Sequence, residues 1–283
     1  MKSIDNYKES DVIQANLNVF ANSVVEYDDI VINRKSYKRL EILIKKSIEI
    51  LSKDKDNILA LDACGGSGLA ALILNQFGCE THLVDLSKEM VNSFNKRCKK
   101  DNIKVKSVVS EINNFLKTNE EEYDLIVFSS ALHHLRFPEK VLLNATKILA
   151  PGGIIITVSD PTSNIQKLSF KVFEKIDRGT NRLIKKPKSL FLAIKNKLVS
   201  SKVGNSNNIN LDGRVAELHA QYGINDFELT EKLISNGNYI LFHKRYTGGY
   251  TNFFQHLYKI LQLGTSFSLI ISNKNYPDIE LDI

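Results

Sequence analysis

Asp62 precedes a turn, Cys64-Gly65-Gly66-Ser67-Gly68, that joins the apolar run Ile58 to Leu61 to a second one, Leu69 to Leu74. Glycine has no Cβ and accepts positive φ, so a ligand can approach the backbone of such a turn closely. The helix that follows offers unpaired N–H groups to anything polar or anionic. Asp85 ends the next apolar run, at about the 20-residue spacing from the turn at which a carboxylate receives ribose hydroxyls. Ionised, it can accept from both vicinal hydroxyls at once. His133 and His134 follow a later run, and a histidine titrates near neutrality, where it can take a proton from a hydroxyl or amine. Adjacent residues at a strand end point in different directions, so at most one of the two faces a substrate. Asp160, just before Pro161, is a second base or an orienting carboxylate. His219 and Tyr222 are expected on the substrate side.

These residues need elements to hold them. Short apolar runs bounded by turn signals alternate with segments of helical spacing through residue 160, which predicts an α/β, doubly wound, parallel sheet. Ligands of such sheets bind at the carboxyl ends of the strands. Asp62, Asp85, Glu111, Ser129, His133 and Asp160 all fall at those ends. Residues 1–56 contain no glycine and place Leu40, Ile44, Ile48 and Leu51 on one helical face, a helical lead-in. Residues 57–160 form the cofactor-binding core of one domain. From 161 to 222 the alternation breaks into two amphipathic helices with basic faces, Ile165 to Ile176 and Leu190 to Leu198, a helical lid inserted after the fifth strand. Residues 223–283 return to the sheet with strands at 239–246 and 266–272.

Two cofactor classes use a strand, glycine turn and helix. Gly66-x-Gly68-x-x-Ala71 fits the dinucleotide fingerprint of a NAD(P)-dependent oxidoreductase, with pyrophosphate at the helix start. Asp62 argues for a cationic group instead. Asp62 with Cys64, Gly66 and Gly68 resembles motif I of the class I S-adenosylmethionine-dependent methyltransferases, with cysteine at the first glycine position; the stretch from Tyr123 to Val158 resembles later motifs of the same family, and quinone methyltransferases share the small residue before Gly-Gly. The resemblance implies a seven-stranded Rossmann-like sheet with an antiparallel final strand, and S-adenosyl-L-methionine as cofactor. It further implies cofactor contacts from Asp62, Cys64, Gly65, Gly66, Gly68, Asp85, Leu86, Glu111, Ile112 and Ser129, with Glu111 and the Ile112 N–H on the adenine. In the sequences this chain resembles, the position of His134 holds a packing residue, so His133 is the expected base. Tyr27 is the aromatic that closing helices of such enzymes carry over the site. The final antiparallel pair is not expected of a simple dinucleotide fold.

The chain has 283 residues and a net charge of +6, with 43% hydrophobic and 25% charged residues, an ordinary globular balance. Cys64, Cys79 and Cys98 show no metal-ligand spacing and point to a reducing compartment, and no apolar run is long enough to span a membrane, so a cytoplasmic location is expected. No metal is expected. An Asn/Asp-Pro-Pro-Tyr base-positioning signature is absent, which disfavours nucleic acid. A small-molecule or lipid- or glycan-linked, anionic substrate fits the basic segment, which could also touch a membrane periphery. A methyltransferase-like subunit that binds without catalysing is the remaining class.

Overall fold

The computed structural model describes residues 7–20, 35–185, 211–248 and 251–276. Tyr27, Lys186, Lys188 and the second expected lid helix, Leu190 to Leu198, lie outside them. The lead-in supplies α1 (Glu9–Phe20) and α2 (Lys35–Leu51). The core then runs β1 (Leu59–Ala63), α3 (Leu69–Gln76), β2 (Glu80–Asp85), α4 (Lys88–Asp101), β3 (Lys106–Val109), α5 (Ile112–Thr118) and β4 (Tyr123–Ser129). After a 3₁₀ turn at Leu132–His134 come α6 (Pro138–Ala145) and β5 (Leu149–Pro161). The insertion contributes α7 (Leu168–Lys185), α8 (Leu211–Ala216) and α9 (Leu218–Tyr222). The chain closes with α10 (Asp226–Ser235), β6 (Tyr239–Tyr246), α11 (Asn252–Ile260) and β7 (Ser266–Ser272).

The seven strands lie in the order β3-β2-β1-β4-β5-β7-β6, and β7 runs antiparallel to both of its neighbours. This is the Rossmann-like, doubly wound sheet with a reversed last strand that the sequence led us to expect. β5 is long because Leu149 already pairs with Tyr123 across a register shift, ahead of the main run from Ile154. Alternate residues of each strand feed opposite faces, as the two-residue period requires. Leu61, Ile126, Ile155 and Ile271 pack under α5, α6 and α10, while Ala60, Leu125, Ile154 and Ile270 pack under α2 and α3. Leu40, Leu43, Ile44 and Leu51, at three- and four-residue steps, form the buried stripe of α2. Local signals close the elements: Ser87 Oγ caps α4 by accepting from Met90 N, Pro138 opens α6, and Asn225 caps α10.

Candidate active site

The turn after β1 is built for close approach. Gly66 and Gly68 take φ of 53° and 82°, and Cys64, in the place of a motif glycine, takes φ of 56°. A Cβ on Gly65 would stand 2.8 Å from Asp62 Cγ, and one on Gly68 would lie 2.1 Å from the Phe94 ring. At Gly66, by contrast, a Cβ would meet nothing within 4 Å, since that face opens on the cavity. Asp62 sits beneath the turn, 1% exposed, and its Oδ2 accepts from Ala71 N at 2.8 Å, tying strand end to helix start. Its Oδ1 has no partner among the described residues. Burial pushes this carboxyl up to about 7, against the pull of the Ala71 N–H.

Asp85 ends β2 with both oxygens already engaged: Oδ2 accepts from Gly66 N and Oδ1 from Ser87 N, each at 2.8 Å. These bonds join the turn to the next strand and fix the carboxylate's direction, while its second lone pairs stay available to hydroxyls. Burial raises the Asp85 pKa and the two N–H donors oppose the rise. Glu111 lines the cavity but is drawn aside as the N-cap of α5, Oε2 accepting from Asn114 N at 2.9 Å. Cys64, Gly65, Gly66, Asp85, Leu86, Glu111, Ile112 and Ser129 all line one cavity. Asp62 and Gly68 do not; they shape the turn from below. Ionised Cys64 is disfavoured, because burial and then the carboxylates of Asp85, Glu111, Asp62 and Asp160 hold its thiol well above the usual range.

At the ends of β4 and β5, His133 Nδ1 lies 2.9 Å from Asp160 Oδ1, which also accepts from His133 N at 3.1 Å. Asp160 is fully buried, and His133 Nε2 stands 3.6 Å from Glu217 Oε2. Burial opposes charge on His133, yet the Asp160 bond and charge together with Glu217 outweigh it, and its pKa is raised. His134 differs. Its Nδ1 donates to Ala216 O at 3.0 Å, and burial, then the neighbouring His133, lower it to about 3, so it is a neutral ring. His134, together with Arg136 and Phe137, lines the cavity, and His133 is not among the lining residues. The expected division, with His133 facing the ligand and His134 only packing, is therefore corrected in its geometry: the 3₁₀ turn rotates His134 toward the cavity and tucks His133 against β5.

His219 and Tyr222 do not reach the cavity. His219 is 8% exposed with Nδ1 3.4 Å from Gly223 O, and Tyr222 packs on the small cluster of Val12, Ala15, Val215, Ala216 and Leu218. The lead-in is expected to close over the site, and α1 roofs the cavity with Glu9, Val12, Ile13, Asn16 and Leu17, residues that sequence reasoning did not single out. Asn16 Nδ2 donates to His134 O at 3.0 Å, Arg136 Nε to Tyr7 O at 2.9 Å, and Asn113 Nδ2 to Glu9 Oε1 at 2.9 Å. The apolar spacing of Val12, Ala15 and Val19 was the available signal. Glu217 was passed over too. With His133 and His134 it brings three donor atoms within 4.8 Å of one another, a set able to hold a metal ion, although His133 and His134 already spend Nδ1 on Asp160 and Ala216.

Residues 61–157 match the methyltransferase domain family. An uncharacterized protein of Methanocaldococcus jannaschii is 29% identical over 154 residues, 54% of this chain and 66% of its own length. A ubiquinone biosynthesis O-methyltransferase of Rickettsia bellii is 26% identical over 129 residues, 44% of this chain and 51% of that one. The chain thus spans about half to two thirds of the length of these curated relatives. The fold of magnesium protoporphyrin IX methyltransferase from Synechocystis PCC 6803, solved with S-adenosylhomocysteine, superposes with a TM-score of 0.54 at 13% identity, covering 93% of this chain and 100% of that one. The family match runs from β1 to β5, residues 61–157, and the sheet order with its reversed last strand is the fold of these methyltransferase structures. The residues present fit the expected cofactor, S-adenosyl-L-methionine: an open glycine face at Gly66, a fixed carboxylate at Asp85 and a roof from α1 that includes Val12, Ile13 and Leu17.

Proposed function

We propose that this chain methylates a small-molecule or lipid- or glycan-linked acceptor bearing negative charge. When bound, S-adenosylmethionine supplies an electrophilic methyl group on a sulfonium. In-line displacement asks the protein mainly to align donor and acceptor, exclude water and take a proton. One observation carries the reading: the glycine turn, Asp85 and Ser129 share a single cavity with His134, Arg136 and Phe137, so the cofactor-binding end and an acceptor-binding wall face one another. Arg136, over the Phe137 ring at 4.5 Å, supports an anionic acceptor. His133 stands behind the cavity lining, held by Asp160 through Nδ1 with Nε2 toward Glu217, so it serves as the proton-accepting group for an acceptor that enters from the Glu217 side, and Glu217 stabilises the imidazolium that forms. His134 is too weakly basic for that role.

Calorimetry with S-adenosylmethionine and NAD(P), followed by transfer of labelled methyl to fractionated acidic metabolites and lipids, tests the proposal. Binding of the dinucleotide in preference would overturn the cofactor assignment. Tight cofactor binding with no transfer to any fraction would leave a binding subunit.

A further inference from the structure

We infer that α7 is a docking face for an anionic lipid bilayer surface, an inference that goes beyond the proposed methyl transfer and stands without it. Among the described residues, α7 is held on the body by one face. Phe170 and Phe173 join the cluster of Phe254, Tyr258 and Leu263, and the fully buried Asp177 accepts from Thr251 N at 3.0 Å and Thr251 Oγ1 at 2.8 Å, fixing the start of α11. At 100° per residue, the side turned away from that cluster carries two adjoining stripes. Leu168, Val172 and Ile176, at four-residue steps, are 77%, 46% and 51% exposed. Lys171, Lys175, Arg178 and Arg182 form the stripe beside them. Of the two acids in α7, Asp177 is inside and Glu174 is paired with Arg178. Further along α7, Ile184 is 67% exposed, and on the adjoining α11 Phe253 is 71% exposed and Ile260 64%.

An exposed run of aliphatic side chains costs solubility and does nothing for the core, which α7 already fills with its other face. Its company decides what it fits. A protein groove would need complementary acids opposite the lysines. An anionic headgroup layer offers negative charge to the basic stripe and acyl chains to the aliphatic one, side by side in the same plane, the geometry of a helix lying in a membrane interface. No helix among the described residues is long and apolar enough to cross a membrane, so the contact is peripheral.

The chain contains no tryptophan, so Val172→Trp in the full-length protein gives a single reporter on the apolar stripe. Its emission should lie at the water-exposed position in buffer and shift to the blue with vesicles of phosphatidylglycerol and phosphatidylcholine, far less with phosphatidylcholine alone. Lys171→Gln with Lys175→Gln should weaken partitioning about 30-fold, from roughly 1 kcal/mol per basic residue, and Val172→Ser with Ile176→Ser should weaken it at least as strongly with cofactor affinity unchanged. No shift with either vesicle would overturn the inference. So would an emission already blue in buffer, which means that the chain itself or a second copy covers the face, and so would partitioning that neither pair of substitutions alters.

Discussion

The two ends of the cavity are wired differently. At the cofactor end, Asp62, Asp85 and Glu111 each accept from backbone N–H groups of their own or the adjoining turn: Ala71, Gly66, Ser87 and Asn114. At the other end, which the proposed function gives to the acceptor, the partners come from distant segments: His134 with Ala216 and Arg136 with Tyr7, and behind them His133 with Asp160 and Glu217. Local backbone bonds make the first end rigid as soon as β1 and β2 pair. The second takes shape only when β5, the insertion and α1 have docked, so its composition can change between relatives without disturbing the first. A site divided in this way keeps one cofactor while serving many acceptors.

Substitutions that separate the two ends test that division. The largest effect is expected from Gly68→Val: its Cβ would collide with the Phe94 ring in a left-handed conformation that valine disfavours, a loss of about 3–5 kcal/mol from overpacking and backbone strain. Thermal melting should show a drop on the order of 10 °C or an unfolded product, and a melt equal to wild type would mean that the turn is not rigid. Next, His133→Ala should lower kcat by roughly 10² with cofactor affinity unchanged. Because the His133 pKa is raised, its basic form fills in only as pH climbs above the usual histidine value of about 6.5, so the wild-type rate should rise through that region and the variant's should not. If the variant loses cofactor binding along with rate, the ends are coupled after all.

Asp85→Ala should cost tenfold or more in S-adenosylmethionine affinity, read by calorimetry, from hydrogen bonds to a charged group worth about 1.5–3 kcal/mol. The last test concerns Asp62 and is read as a pH slope. Its pKa rises from 3.8 to about 7 on folding, so the folded state binds the extra proton between those values. The stability this provides is complete below the unfolded pKa and fades as pH rises through about 7. Asp62→Asn should flatten that slope in the stability of the cofactor-free protein between about pH 4 and 7, measured by denaturant titration. An unchanged slope would assign it to other groups.

The same contrast explains what could be read from the chain. Strands and helices were legible because the sheet is buried on both faces, which forces unbroken apolar runs such as Leu125 to Phe128, and because caps such as Ser87 and Asn225 sit next to what they cap. Asp85 and the glycine turn were legible because φ and close approach restrict residue type at fixed spacing. Glu217 was not, because nothing near Glu217 in sequence announces that α9 returns to the His133 turn. His219 misled for the matching reason: histidine is rare enough to attract notice, and here burial, not chemistry, accounts for it. Cys64 reads as a substituted glycine, and only the backbone shows that it bears the same positive φ.

The place of β7 has a consequence for how the chain is made. β7 follows β6 in sequence yet lies between β5 and β6, pairing Ile154 to Val158 on one side and Tyr239 to Tyr246 on the other. Until Ser266–Ser272 leaves the ribosome, β5 presents an unpaired edge of isoleucines and β6 has no sheet to join. During that interval the nascent chain carries a sticky hydrophobic border of the kind that aggregates. Chains stalled before Ser266 should be held by chaperones and degraded rapidly, whereas release of the last strand closes the border from both sides in one step.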